Sequence, residues 1–123
     1  MKSYDSTFNG FGEAYLSEIN PGFIKGWKKH TKMTLNLSVP YGSVRFVVFD
    51  DRSDSVTHGN FIEYTLSKEL NYSRLTIMPN LWFAFQCISD SSSAVLNIAN
   101  IQHDPNEAVS KSLDEISFNW SLK

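Results

Sequence analysis

Apolar and polar residues alternate with a period of two along much of this chain. The clearest stretch is residues 34–39. Leu35, Leu37 and Val39 fall on one side, and Thr34, Asn36 and Ser38 on the other. That period marks a β-strand with one face on a core. Residues 44–49 are apolar on both faces, as a strand between two layers should be. Further strands are expected at residues 11–19, 23–27, 61–66, 74–78, 81–88 and 94–101, with an extended tail at 116–120. Turn chemistry separates them. Asn20-Pro21-Gly22, Pro40-Tyr41-Gly42 and Pro79-Asn80 are stops, because proline fixes φ and glycine accepts φ > 0. Residues 50–60 read as a polar loop and 89–93 as a polar hairpin loop. Short helical turns are expected at 67–72 and after Asp104-Pro105-Asn106, and no helix of ordinary length is visible. Eight or so short strands at fairly regular spacing indicate an all-β sandwich or barrel. With no repeat, linker or low-complexity tract, residues 1–123 read as a single domain.

Composition narrows the function classes. The 123 residues carry a net charge of -2, so no basic excess points to nucleic acid. No run of eighteen apolar residues suggests a membrane helix. The start, Met1-Lys2-Ser3-Tyr4-Asp5, lacks a secretory apolar region, and Cys87 is alone, so a cytoplasmic protein without an intrachain disulfide is expected. Cys87 lies in an apolar strand and reads as packing. Aromatic residues reach 14%, with nine Phe, which suits strand interiors and sugar-stacking pockets. His30, His58 and His103 are scattered, and no His-x-His set is present, so neither a metal nor another cofactor is expected.

Several stretches, in order, match the motifs of one known family. Lys25-Gly26-Trp27-Lys28 sits where that family carries Arg-Gly-Leu-His. The block GSVRFVVFDDR, Gly42 to Arg52, resembles its G-x-V-x-D-V-x-V-D-x-R strand and loop, and Ser55, Thr57 and Gly59 continue it. Glu69-Leu70-Asn71, Ile77-Met78-Pro79-Asn80-Leu81, Asp104-Pro105 and the closing Asp114 to Trp120 resemble later family motifs. Over residues 8–120 the chain thus resembles the dTDP-4-dehydrorhamnose 3,5-epimerase family of cupins. This likeness implies a double-stranded β-helix (jelly-roll barrel), a nucleotide-linked sugar as small-molecule partner and a homodimer. Full-length members carry a longer N-terminal segment that supplies part of the neighbouring subunit's nucleotide site, and this chain is expected to lack it.

The family's reaction takes a proton from the carbon beside a ketone and returns one to the other face. The resemblance implies a His–Asp base pair, a lysine at the enolate and a tyrosine acid. Here the histidine position reads Lys28, the lysine position falls near Leu35, the tyrosine position reads Asn97, and a second histidine position reads Phe83. Only the aspartate remains, as Asp114. His30 shares the strand face of Lys28 and titrates near neutrality in its ordinary state. Lys28, His30 and Asp114 are therefore the expected catalytic residues at the cavity mouth; a solvated Lys-Lys-His cluster is the ordinary alternative. The expected substrate-binding residues are Lys25, Arg52, Trp82, Asn97, Glu13 and Ser17. Arg52 would hold phosphate with its planar fork, and Lys25 would do so as a point charge. A loop salt bridge for Arg52 and core packing for Trp82 are the competing accounts. Two functions stay open: a metal-independent epimerase or isomerase of surface polysaccharide synthesis, and a catalytically silent sugar-nucleotide-binding cupin. A structural partner subunit is a third.

Overall fold

The computed structural model describes residues 1–122. Among these residues, nine strands form two antiparallel sheets. β1 (Glu13–Ile19), β8 (Ser93–Ala99), β3 (Leu35–Tyr41) and β6 (Leu75–Ile77) make a four-stranded sheet in that spatial order. β5 (Phe61–Ser67), β4 (Ser43–Phe49), β7 (Trp82–Cys87), β2 (Ile24–His30) and β9 (Ala108–Ser110) make the five-stranded one. Apart from the β4–β5 hairpin, sequence neighbours thus lie in opposite sheets, as in a jelly roll.

Alternation sends one set of side chains between the sheets. Leu35, Leu37, Val39, Val44, Phe46, Phe83, Phe85, Cys87 and Val95 form this inner core, all 9% exposed or less. A second cluster lies on the outer face of the five-stranded sheet. There Trp27, Val47, Trp82, Ala84 and Ile116 are buried, with Phe49, Leu113, Phe118 and Trp120 packed against them. The tail therefore covers the back of the sheet rather than pairing as a strand. A single 3₁₀ turn, Leu113–Glu115, leads into it.

The expected strands are present, some trimmed and some extended at their ends. The second one continues to His30, three residues past the expected stop at Trp27. At residues 67–72 the chain makes one turn, with the Asn71 N–H donating to the Ser67 carbonyl at 3.0 Å, and Ser67 also bridges Asn71 to close a tight loop. After Asp104-Pro105 the chain makes one turn and then enters β9, a short strand that local pattern does not announce.

A β-bulge in β2 decides what reaches the interior. Lys25 pairs with Phe85 and Lys28 with Phe83, so three steps on β2 match two on β7. The extra residue lets Lys25 and Lys28 both face inward despite their odd spacing. Trp27 is thrown outward into the second cluster and is 1% exposed.

Gly42, between β3 and β4, has φ 87°. A Cβ there would lie 2.1 Å from Ser93 Oγ and 2.6 Å from Ser93 Cα. Gly42→Ala is therefore expected to cost about 2–4 kcal/mol, from left-handed strain plus a forced shift of β8. Urea denaturation monitored by tryptophan fluorescence would check it, and an unchanged midpoint would contradict the assignment.

Candidate active site

A cavity of about 160 Å³ opens between the two sheets. That resembles the roughly 150 Å³ known to accept a six-membered ring. Lys25, Gly26, Lys28, His30, Phe83 and Phe85 line it from the five-stranded sheet. Tyr15, Ser17, Leu35, Leu37, Val95 and Asn97 line it from the four-stranded sheet. The interior is therefore not filled solid by rings. It has an apolar floor of Leu35, Leu37, Phe83, Phe85 and Val95, with polar groups set into both walls.

His30 ends β2 and is 7% exposed. Its Nδ1 is 2.7 Å from Glu107 Oε1. Its ring stacks on Phe83, with centroids 6.1 Å apart. Glu107 is 4% exposed, and its Oε2 accepts hydrogen bonds from the backbone N–H of Lys32 (3.0 Å) and of Met33 (2.9 Å). Burial pushes the Glu107 carboxyl up, but hydrogen bonds from His30 and from those two N–H groups outweigh it and hold it below its ordinary value. A carboxylate at Nδ1 requires the proton on that nitrogen, so a neutral His30 carries its lone pair on Nε2. A buried histidine with a fixed tautomer, at the wall of a cavity, is the arrangement a general base needs.

Asp114 does not share this arrangement. It lies exposed in the 3₁₀ turn, where Ser112 Oγ donates to its Oδ1 at 2.6 Å. That hydrogen bond, followed by one from its own backbone N–H, lowers its carboxyl. The carboxylate that reaches His30 is Glu107, from the turn before β9. Lys28 lines the cavity but is exposed, so the burial that a lysine base needs is absent.

Of the expected binding residues, Lys25, Ser17 and Asn97 line the cavity. Trp82 does not, because alternation along β7 turns Phe83 inward and Trp82 outward. It is 3% exposed, its Nε1 donates to Asp51 at 2.8 Å, and Lys29 and Lys111 lie over its ring. Arg52 is engaged within its own loop. Its Nε and Nη2 donate to the two oxygens of Asp50, each at 2.9 Å. Asp50 also accepts from Ser55 and Thr57. The Arg52 fork leads in lowering the Asp50 carboxyl, against burial that raises it. The residue thus folds the loop at 50–60 instead of presenting a free fork to phosphate. Glu13 shares the inner face of β1 but accepts the backbone N–H of His103 at 2.8 Å, beyond the cavity.

Two residues of the site, Tyr15 in the cavity lining and Glu107 behind His30, lie outside the expected set. Tyr15 lies two residues from each of Glu13 and Ser17, so the period of β1 already placed it on their face. Glu107 carried no such signal, since its burial depends on partners far away in the chain. Among the described residues, no three His, Cys, Asp or Glu side chains gather as ligands for a metal ion.

No protein-family model matches the chain. A dTDP sugar isomerase from Desulfovibrio desulfuricans, solved as a crystal structure, is 34% identical and superposes with a TM-score of 0.94. The match covers 98% of this chain and 78% of that one. The chain belongs to the dTDP-4-dehydrorhamnose 3,5-epimerase family of cupins. Within that family, the Elizabethkingia anophelis dTDP-4-dehydrorhamnose 3,5-epimerase is 19% identical with a TM-score of 0.79, over 92% of this chain and 64% of its own, a likeness of fold. The probable low-salt glycan biosynthesis epimerase Agl13 of Haloferax volcanii is 28% identical over 92 residues, 74% of this chain. This epimerase-family chain spans 58% of the length of Agl13. The spore coat polysaccharide biosynthesis protein SpsL of Bacillus subtilis is 25% identical over 127 residues, covering 100% of this chain and 83% of SpsL.

Proposed function

We propose that the protein is a sugar-nucleotide epimerase or isomerase of surface polysaccharide synthesis, acting on a dTDP-linked 4-keto-6-deoxy sugar by metal-independent proton transfer. The buried His30–Glu107 pair at the cavity wall carries this reading. His30 Nε2 removes the proton from the carbon beside the ketone, and Glu107 stabilises the imidazolium that forms. Charge then develops on the ketone oxygen. Lys25 and Lys28, both turned inward by the bulge, are the cations available to it. A purely binding cupin would leave the oriented, buried base without a task.

The proposal includes a cytoplasmic homodimer without a nucleic-acid partner. Edge strand β1 leaves Leu16 56% exposed on the face turned away from the cavity, a surface suited to a second copy. The net charge of -2 gives no attraction to polyanions. Among the described residues, no helix is long and apolar enough to cross a membrane.

Incubation with a dTDP-4-keto-6-deoxy sugar in D₂O, followed by NMR, tests the reading. Deuterium is expected at a carbon next to the ketone. Absence of exchange, with dTDP still raising the melting temperature, would replace the enzyme by a binding protein.

A further inference from the structure

Inversion at a carbon needs a proton donor on the face opposite the base. His30, Lys25 and Lys28 all stand on β2, in the five-stranded wall. The donor must come from the four-stranded wall, where the polar cavity residues are Tyr15, Ser17 and Asn97. An amide does not donate a proton to carbon, and an aliphatic hydroxyl is a far weaker acid than a phenol.

Tyr15 is also the one held in place. It lies directly across from Asn97 in the β1–β8 register. Asn97 Nδ2 donates to Tyr15 Oη at 3.3 Å. The other end of the same amide is fixed, because Asn97 Oδ1 accepts the backbone N–H of Asn36 at 3.2 Å. Asn97 is 2% exposed, so its amide is locked, and its orientation follows from the Asn36 N–H. Its NH₂ therefore faces Tyr15 and occupies the phenol oxygen as an acceptor. Among the described residues, the Tyr15 O–H has no acceptor, and it remains free to donate into the cavity. The Tyr15 residue is 43% exposed, which gives the phenolate a route to a replacement proton from water.

We propose that Tyr15 is a catalytic acid and that Asn97 is its positioning residue; this rests on the epimerase reading above. His30 takes the proton from the carbon, and the electron pair moves to the ketone oxygen. Tyr15 then delivers its proton to the opposite face of that carbon as the carbonyl re-forms. Water restores the Tyr15 proton, and His30 releases its own proton to solvent.

The test separates exchange from inversion. In D₂O, wild-type protein is expected to show both. Tyr15→Phe removes only the hydroxyl at a half-open site and should leave folding intact. It is expected to retain deuterium incorporation within a few-fold while losing inverted product by about 10²-fold or more. His30→Asn should lose both. Asn97→Asp keeps the shape but offers an acceptor to the Tyr15 O–H, drawing the proton away from the cavity. It should lose inversion, not exchange, with an altered pH profile for inversion and an unaltered one for exchange. Inversion at the wild-type rate in Tyr15→Phe overturns the assignment. Exchange without inversion in the wild type also overturns it but keeps His30 as the base. Neither exchange nor inversion in the wild type removes the epimerase reading and the Tyr15 role together.

Discussion

Glu107→Gln is expected to reduce deuterium exchange by about 10²–10⁴-fold with little effect on ligand affinity. The backbone N–H groups of Lys32 and Met33 need an acceptor, and they take the single amide oxygen of the glutamine. The NH₂ then faces His30 Nδ1 and donates to it. The imidazole proton is driven to Nε2, and the base loses the lone pair that points at substrate. Isotope exchange by NMR and titration with dTDP give the two readouts. Unchanged exchange would show that Glu107 only packs. The same variant has a signature in acid. The Glu107 carboxyl is lowered in the folded state, burial being outweighed by the hydrogen bonds it accepts from His30 and the two N–H groups. Its contribution to stability is present above the unfolded value, about 4.5, and fades as pH falls through the folded one. Any stability advantage of wild type over Glu107→Gln should therefore shrink in that acid window.

The distance between His30 and Glu107 explains what the sequence disclosed. Strand periodicity is local, so it correctly joined Lys28 with His30 and set Leu35, Leu37 and Val39 on one face. It also carried Tyr15 along with Glu13 and Ser17. The β2 bulge is not local in this sense, because it is defined by the register of a partner strand. Strict alternation would have turned Lys25 away from Lys28, and only likeness to a family motif kept it among the binding residues. Glu107 was less legible still. The Asp-Pro turn before it was visible, but nothing nearby says that a glutamate will be buried against a histidine from another strand. Asp114, the carboxylate that the family motif implies, is satisfied by its own turn. Arg52 shows the opposite case: both a phosphate contact and a loop salt bridge are open from sequence, and the geometry fits the second, because Asp50, two residues back, offers the fork a matching carboxylate.

Trp27→Ala is expected to cost about 3–5 kcal/mol, a large part of the stability of a small domain. The indole lies 5.9 Å from the ring of Trp120 and 6.3 Å from that of Phe61, centroid to centroid. Removing it opens a void beneath the tail, which Arg45 also secures by lying over Phe118 and Trp120 and donating to the Trp120 carbonyl at 3.3 Å. The loss should appear in the urea midpoint. Exchange per folded molecule should change far less, because Trp27 faces away from the cavity. Trp120→Ala should destabilise less, since that ring is only partly covered. A fall in Trp27→Ala smaller than that in Trp120→Ala would mean that the tail, rather than the strand residue, anchors this layer.

The two halves of the proton-handling pair enter the chain 77 positions apart. During synthesis, the imidazole therefore emerges long before its carboxylate, and the two meet only once β9 has paired with β2. A nascent or partly unfolded molecule has the histidine without its orienting partner. On the proposed chemistry, the base is therefore oriented only after the last strand is in place.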